Sequence, residues 1–370
     1  MLLCYNKKVI LAMIMSSRER IIAALNHKEV DRTPIFEYVL LSPIADRLLG
    51  RLYAGDPDNW PDMLREKGFE GAVRQNAIDR LDLAELLGHD MIYVVPNPLP
   101  TAAEGQVDIP QQPSSDDPVK NVKNRNDKFT QQKHVPPQEA FLIYTFLKEE
   151  MQHRGIELPI LAPAYSHGIW TDVDLMQTML LAPDVARQHF TLATQRSLAL
   201  IEKYLPLGIN QIGVGGDFAG STLMISPQAY REFIVPEIRT LSRRIHAAGC
   251  YAVNASDGNL WPVIDDFLTG CEVDGYLEID MHAGMDLRKL KKIYGDRVTL
   301  YGNLDCGNIL SFGSESDIAR HVMKCLLAGM GTGGHIFCAS NAVTSSIPLS
   351  NYITVIRSYR KFFGLPQLML

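Results

Sequence analysis

Eight short apolar runs, each followed by a stretch whose apolar residues recur at i, i+3 and i+4, leave few folds open to this chain. The runs are 33–38, 91–95, 159–164, 211–215, 251–255, 273–279, 297–301 and 335–339. Helices are predicted among others over 137–154, 183–205, 227–248, 314–327 and 349–363; Pro183 and Pro227 suit a first helical turn and Ser226 suits a cap. An apolar strand of this kind needs helices over its outer face. The alternation therefore predicts an α/β fold, a single (β/α)8 TIM barrel, with a doubly wound open sheet as the alternative. Against the open sheet, no G-x-G-x-x-G follows the first run, and Gly213-Val214-Gly215-Gly216 leads to Asp217 rather than to a phosphate-binding helix start.

Residues 96–137 break the pattern. They are rich in Pro, Gln, Asn, Asp and Lys and cannot bury a core, which predicts an insertion after the second strand, either an arm or lid over the barrel mouth or a solvated hairpin or dimer arm. Residues 16–370 then form one barrel domain with a helical N-terminal extension. Residues 1–15 read as a disordered segment or one preceding a natural start at Met13 or Met15. Lys7-Lys8 and the apolar run 9–15 lack a following small-residue cleavage site, and no stretch of about 18 apolar residues occurs, so a cytoplasmic protein without a membrane partner is expected. The 36 Lys and Arg are scattered among 42 Asp and Glu, net charge −6, which leaves no basic footprint for nucleic acid. Six cysteines without a C-x-x-C pair suggest neither a disulfide framework nor a zinc ribbon.

In a barrel of this type the reacting groups stand where the strands end, because the following loops converge on one mouth. The strand ends offer Glu37 and Tyr38, Tyr165 and His167, Asp217, Ser256-Asp257 with Asn259, Glu278, Asp280 and His282, Asn303 and Asp305, and Ser340-Asn341. Singly, each has a structural alternative: Glu37 and Asp305 as helix caps, Asn303 and Asn341 as loop ties. Together, Asp217, Asp257 and Asp280 are the candidate catalytic carboxylates, since three acids around one mouth raise at least one pKa or recruit a cation or proton. Glu37, Tyr165, His167, Asn259, Asn303 and Asn341 are the candidate substrate-binding residues. The sequence holds no G-x-S-x-G elbow, and nothing around Cys306 or Cys338 points to a reactive thiolate.

Several motifs occur in a fixed order. They are Ser17-Arg18-Glu19-Arg20-Ile21-Ile22-Ala23-Ala24-Leu25-Asn26-His27 with Asp31-Arg32-Thr33-Pro34, Gly216-Asp217-Phe218, Ile225-Ser226-Pro227 and His246-Ala247-Ala248-Gly249. Ser256-Asp257-Gly258-Asn259, Ala283-Gly284-Met285-Asp286-Leu287 and Tyr301-Gly302-Asn303-Leu304-Asp305 follow. This series, across residues 16–363, resembles the uroporphyrinogen decarboxylase superfamily, which implies a (β/α)8 barrel. The resemblance implies one of two chemistries: decarboxylation of uroporphyrinogen, or methyl transfer to or from a corrinoid protein or coenzyme.

The sequence departs from the motifs of both. Decarboxylases of the superfamily carry Met-Arg-Gln-Ala-Gly-Arg after the first strand, whose arginines pair with substrate carboxylates; here the stretch is Glu37-Tyr38-Val39-Leu40-Leu41-Ser42. The zinc-dependent methyltransferases carry a His-X-Cys pair before Gly-Asn and a later Cys. Alignment on Gly258-Asn259 puts Ala255, Asp257 and about Asn341 at those places, so no Cys-ligated zinc is expected. The resemblance thus implies a methyltransferase acting between a small O- or N-methylated compound and a corrinoid (cobalamin) supplied by a partner corrinoid protein, with a homodimer as a possible assembly. The alternatives are a decarboxylase-like lyase using Asp217 or Asp257 to protonate a carbanion, and a non-catalytic barrel that binds a corrinoid or small ligand.

Overall fold

The computed structural model describes residues 14–100, 115–131 and 136–368. Residues 1–13 of the expected extension, and 101–114 and 132–135 of the expected insertion, lie outside the described residues. Among the described residues seven strands form one curled sheet: β1 (Ile92–Tyr93), β2 (Ile160–Ser166), β3 (Gln211–Gly215), β4 (Tyr251–Ala255), β5 (Gly275–Leu277), β6 (Thr299–Tyr301) and β7 (His335–Ile336). They pair in sequence order and all in parallel, which requires a crossover after every strand; helices supply it.

The sheet differs from the expected eight strands at its beginning. The segment 33–38 makes a single bridge, Ile35 to Phe337, instead of a strand. Pro34 has no N–H to give to a ladder, which leaves the segment few bonds. Those it has point both ways. Phe36 N donates to Phe337 O at 3.2 Å just beyond β7, and Ile35 O accepts from Asp90 N at 2.7 Å just before β1.

The helices follow their start signals. The Ser16 side chain caps Ser17–Leu25 in a reciprocal box with Glu19, and Ser314 does the same for Glu315–Gly329 with Asp317. The stretch 227–248 is not one helix. It runs as Pro227–Ala229, a wide turn over Tyr230–Ile234 and then Val235–His246, because Pro236 cannot donate a helical hydrogen bond. The longest helix, Trp60–Leu87, is interrupted at Gly68, which takes φ 69°.

Phe36, Met91, Leu161, Val253, Leu277 and Tyr301 fill the space enclosed by the sheet, and Ile21, Ala24 and Leu25 of the first helix close its base. A larger apolar layer lies between strands and helices. The described part of the insertion, helix Pro118–Gln131, docks on the flank: Arg125 pairs with Asp172 at 2.7 Å, and Asn126 Nδ2 donates to Val185 O at 3.0 Å. Among the described residues no helix is long and apolar enough to cross a membrane.

Candidate functional site

Three loops that follow β3, β4 and β5 are tied together by carboxylates. Gly215 and Gly216 take φ 143° and 135°, and a Cβ on either would strike Asn254 or Ser166. Only glycine fits there. The chain turns inward at once and places Asp217, whose Oδ1 accepts from Asp257 N at 2.9 Å. Asp280 behaves differently from its expected role. Its carboxylate accepts from the backbone N–H groups of His282 (2.8 Å), Ala283 (3.1 Å) and Gly258 (3.3 Å), so it knots the loops.

The place assigned to Asp280 is taken by Glu278. One oxygen each from Asp217, Asp257 and Glu278 lies within 4.8 Å of the others. Glu278 is non-glycine yet has φ 70°, a left-handed conformation that costs roughly 1–2 kcal/mol. Strand alternation puts Glu278 and Asp280 on one face; the left-handed residue breaks that alternation and separates their tasks.

Beneath the trio is a cavity of about 360 Å³ lined by Tyr38, Tyr93, Ser166, Trp170, Asp217 and Glu278, among others. Tyr38 and Tyr93 meet edge to face with ring centroids 4.5 Å apart, and Trp170 at the rim is 50% exposed. Among the described residues no lysine or arginine, and none of 96–137, lines it. The carboxyls therefore have no cationic partner among the described residues. Burial first, then the neighbouring Asp217 and Asp280 charges, push Asp257 up to about 7, against the lowering effect of Asn341, whose Nδ2 donates to Asp257 Oδ2 at 2.7 Å. Burial, with Asp257 and Asp217 beside it, pushes Glu278 up to about 8.

Other candidate residues lie elsewhere. Glu37 is buried behind its segment with Oε2 facing Ala339 N at 3.4 Å, and burial raises it to about 8; the neighbours Phe36 and Tyr38 face inward instead. Tyr165 borders the cavity, but its hydroxyl is buried without a partner among the described residues. His167 is buried against Phe218 with ring centroids 5.7 Å apart, and burial lowers it to about 4, which keeps it neutral. A bulge between Pro163 and Tyr165 causes this. It shifts the register of β2, so Ser166, unremarkable in the sequence, reaches the mouth while Tyr165 and His167 do not present their polar atoms there. Asn259 Oδ1 accepts from Trp261 N at 3.2 Å, a loop tie. Asn303, after Gly302 at φ 141°, lines a separate crevice.

The model of the family described as uroporphyrinogen decarboxylase (URO-D) matches residues 170–362, more than half of the chain. The chain belongs to the uroporphyrinogen decarboxylase family. Uroporphyrinogen decarboxylases of three Coxiella burnetii strains are each 22% identical over 187 residues, 49% of this URO-D family chain and 48% of theirs. The chain thus matches about half the length of these curated relatives. Among solved structures, a methyltransferase from Methanosarcina mazei superposes with a TM-score of 0.63 at 17% identity, covering 94% of this chain and 99% of its own, which shows a shared fold.

The zinc positions implied by the family resemblance can be tested on the geometry. Two of them, Asp257 and Asn341, do converge, but as a hydrogen-bonded carboxylate and amide, and Ala255 has no donor atom. Cys338 is fully buried and Cys306 Sγ lies against Ser340 Oγ at 3.5 Å. These residues do not fit a thiolate-rich zinc site.

Proposed function

We propose that this URO-D family protein is a cytoplasmic methyltransferase that moves a methyl group between a small O- or N-methylated substrate and a corrinoid held by a partner protein. One observation supports the reading: a mouth with no lysine or arginine among its described residues, in which burial pushes Asp257 up to about 7 and Glu278 up to about 8. A substrate rich in carboxylates would meet Asp217 and Glu278 with no arginine to pair with it, which disfavours the decarboxylase alternative.

A corrinoid fits these residues only from outside. The cavity of about 360 Å³ admits the methylated end of a small substrate, and the half-exposed Trp170 leaves the rim open. When bound, the corrinoid supplies a nucleophilic metal that accepts a methyl group. The chain's own residues supply the rest. Tyr38, Tyr93 and Trp170 grip the apolar part of the substrate, and the Asp257–Glu278 carboxyl pair, of which Glu278 lines the cavity, supplies a proton to its leaving oxygen or nitrogen. As the carbon–heteroatom bond breaks, its electron pair stays on the leaving atom, which takes the carboxyl proton; water then reprotonates the carboxylate.

The test is release of demethylated product from a panel of methyl ethers and methylamines in the presence of reduced cobalamin. Product that depends on both cobalamin and the Asp257 carboxyl supports the reading. No product from any donor, together with carbon dioxide release from a small acid, would replace it by a lyase.

A further inference from the structure

A second site lies outside the mouth, in a crevice of about 250 Å³ between helices Leu287–Tyr294 and Glu315–Gly329. Its lining carries two cations against one carboxylate. Arg288 and Lys324 line it, and neither makes an ion pair or side-chain hydrogen bond among the described residues. At the start of the first helix, the Leu287 and Arg288 N–H groups precede the first bonds, which are Lys289 N to Asp286 Oδ1 (2.7 Å) and Leu290 N to Asp286 O (2.9 Å).

The floor is Asn303, only 5% exposed. Cys325 Sγ sits 3.4 Å from its main-chain oxygen and 3.7 Å from Oδ1, which fixes the amide and leaves its NH2 without an acceptor among the described residues. That NH2 is open to the crevice, where solvent or a ligand can accept from it. His321 lines the crevice as well, and its Nε2 accepts from Asp305 N at 3.1 Å. The one carboxylate in the lining, Asp286, is engaged by its own helix through Lys289 N.

We propose that this crevice binds a phosphate-type oxyanion. Two cations without ion pairs among the described residues, a helix start and an amide NH2 open to the crevice together match a dianion with several acceptor oxygens better than a single carboxylate. Met281, Met285 and Leu287 provide an apolar wall for the organic part of a phosphate monoester. Inorganic phosphate and a monoester share the oxyanion chemistry and differ only at that wall.

Thermal unfolding of the full chain tests the site, with inorganic phosphate, phenyl phosphate and sodium chloride titrated at matched ionic strength. Both phosphates are expected to raise the midpoint in a saturating manner that chloride does not reproduce. Phenyl phosphate acting at lower concentration identifies a monoester ligand, and equal potency identifies free phosphate. The exposed pair is removed in Arg288→Ala/Lys324→Ala, which should weaken phosphate binding by about tenfold or more. Asn303→Asp, nearly isosteric, puts a negative charge on the floor and should abolish the effect. Phosphate and chloride acting alike on the wild type, or an undiminished phosphate shift in either variant, would overturn the proposal. Should either variant fail to fold, broadening of the phosphorus-31 resonance of inorganic phosphate by wild-type protein, relieved by sulfate, reads the same site.

Discussion

The two ends of the sheet treat the same kind of residue in opposite ways. At the base, Asp90 accepts from Arg20 Nη1 at 2.5 Å, Arg32 Nη1 at 2.6 Å, Ile35 N at 3.0 Å and Ser17 Oγ at 3.2 Å, and Arg20 also holds Asp31 at 2.6 Å. At the mouth, Asp217, Asp257 and Glu278 bring oxygens within 4.8 Å of one another, beside a cavity whose described lining holds no lysine or arginine. The base carboxylates fasten the first helix and the segment after it to the sheet. The mouth carboxylates make the structure poorer in electrostatic terms, and such an expense is normal where acids must keep or exchange protons.

Removing one carboxyl from each end should therefore produce unlike losses. The largest effect expected is on turnover: Asp257→Asn keeps the shape and the tie to Asn341 but has no proton to give, so methyl transfer should fall by about 10²- to 10⁴-fold. Wild-type activity should also decline as pH rises through about 7 to 8, where Asp257 and Glu278 lose their protons. A flat profile with an active Asp257→Asn enzyme would show that the two ends differ in architecture only.

At the base the loss should be in stability. Asp90→Asn leaves Arg20 and Arg32 without their shared counter-charge, and breaking such a buried pair costs about 3–5 kcal/mol. Denaturant unfolding measures this, and a loss within error of zero would contradict the clamp. Acid should weaken the same end. Burial, the largest single influence, works to raise Asp31, but the hydrogen bond and charge of Arg20, the Met15 N–H and the Arg32 charge together outweigh it and hold the carboxyl low, so its contribution is full above the ordinary aspartate range and is lost as pH falls through its depressed folded value.

The mouth responds to pH with the opposite sign. Glu278 is raised to about 8, so the folded state binds its proton more tightly than the unfolded chain does, and this carboxyl subtracts stability as pH climbs from the ordinary glutamate range to about 8. Glu278→Gln cannot ionise. It should be more stable than wild type at pH 8 by on the order of 2 kcal/mol, the strain of the left-handed backbone being common to both and cancelling, and the advantage should vanish in mild acid. Equal stability at both pH values would mean that Glu278 is not held protonated.

The same contrast explains what could be seen in the sequence. Asp217 and Asp257 were legible because each ends an apolar strand directly, at Gly216-Asp217 and Ser256-Asp257. Arg20 and Arg32 were visible only as motif letters, since their shared partner Asp90 lies 70 and 58 residues away. Where the reading and the structure part, the backbone leaves regular geometry. The β2 bulge turns Ser166 in and the Tyr165 hydroxyl away, the left-handed Glu278 displaces Asp280 from the trio, and positive φ at Gly302 precedes the turn of Asn303 into the crevice. Strict alternation could have found Tyr38 in place of Glu37, because Phe36 and Tyr38 share a face. It could not have found a bulge, whose signal is one proline, Pro163, in the middle of a strand.

The finest distinction between the ends concerns Asn341, a neutral partner where the base uses arginines. Its amide donates to Asp257 Oδ2 at 2.7 Å and favours the charged form, so it partly offsets the burial that raises Asp257. Asn341→Ala removes that donor. Asp257 should then hold its proton more tightly, and the alkaline limb of the activity profile should move up by about one pH unit or less, in line with a hydrogen bond to a charged group worth about 1 kcal/mol in this half-buried setting. Turnover below that limb should change little, because the proton is present in both enzymes. A residue that merely tied the loop would lower activity at every pH and leave the limb in place. Asn341→Asp separates the two further: a fourth carboxylate would move the limb in the same direction and farther than alanine does, whereas a limb that ignores both variants would leave Asn341 a structural residue and Asp257 no acid.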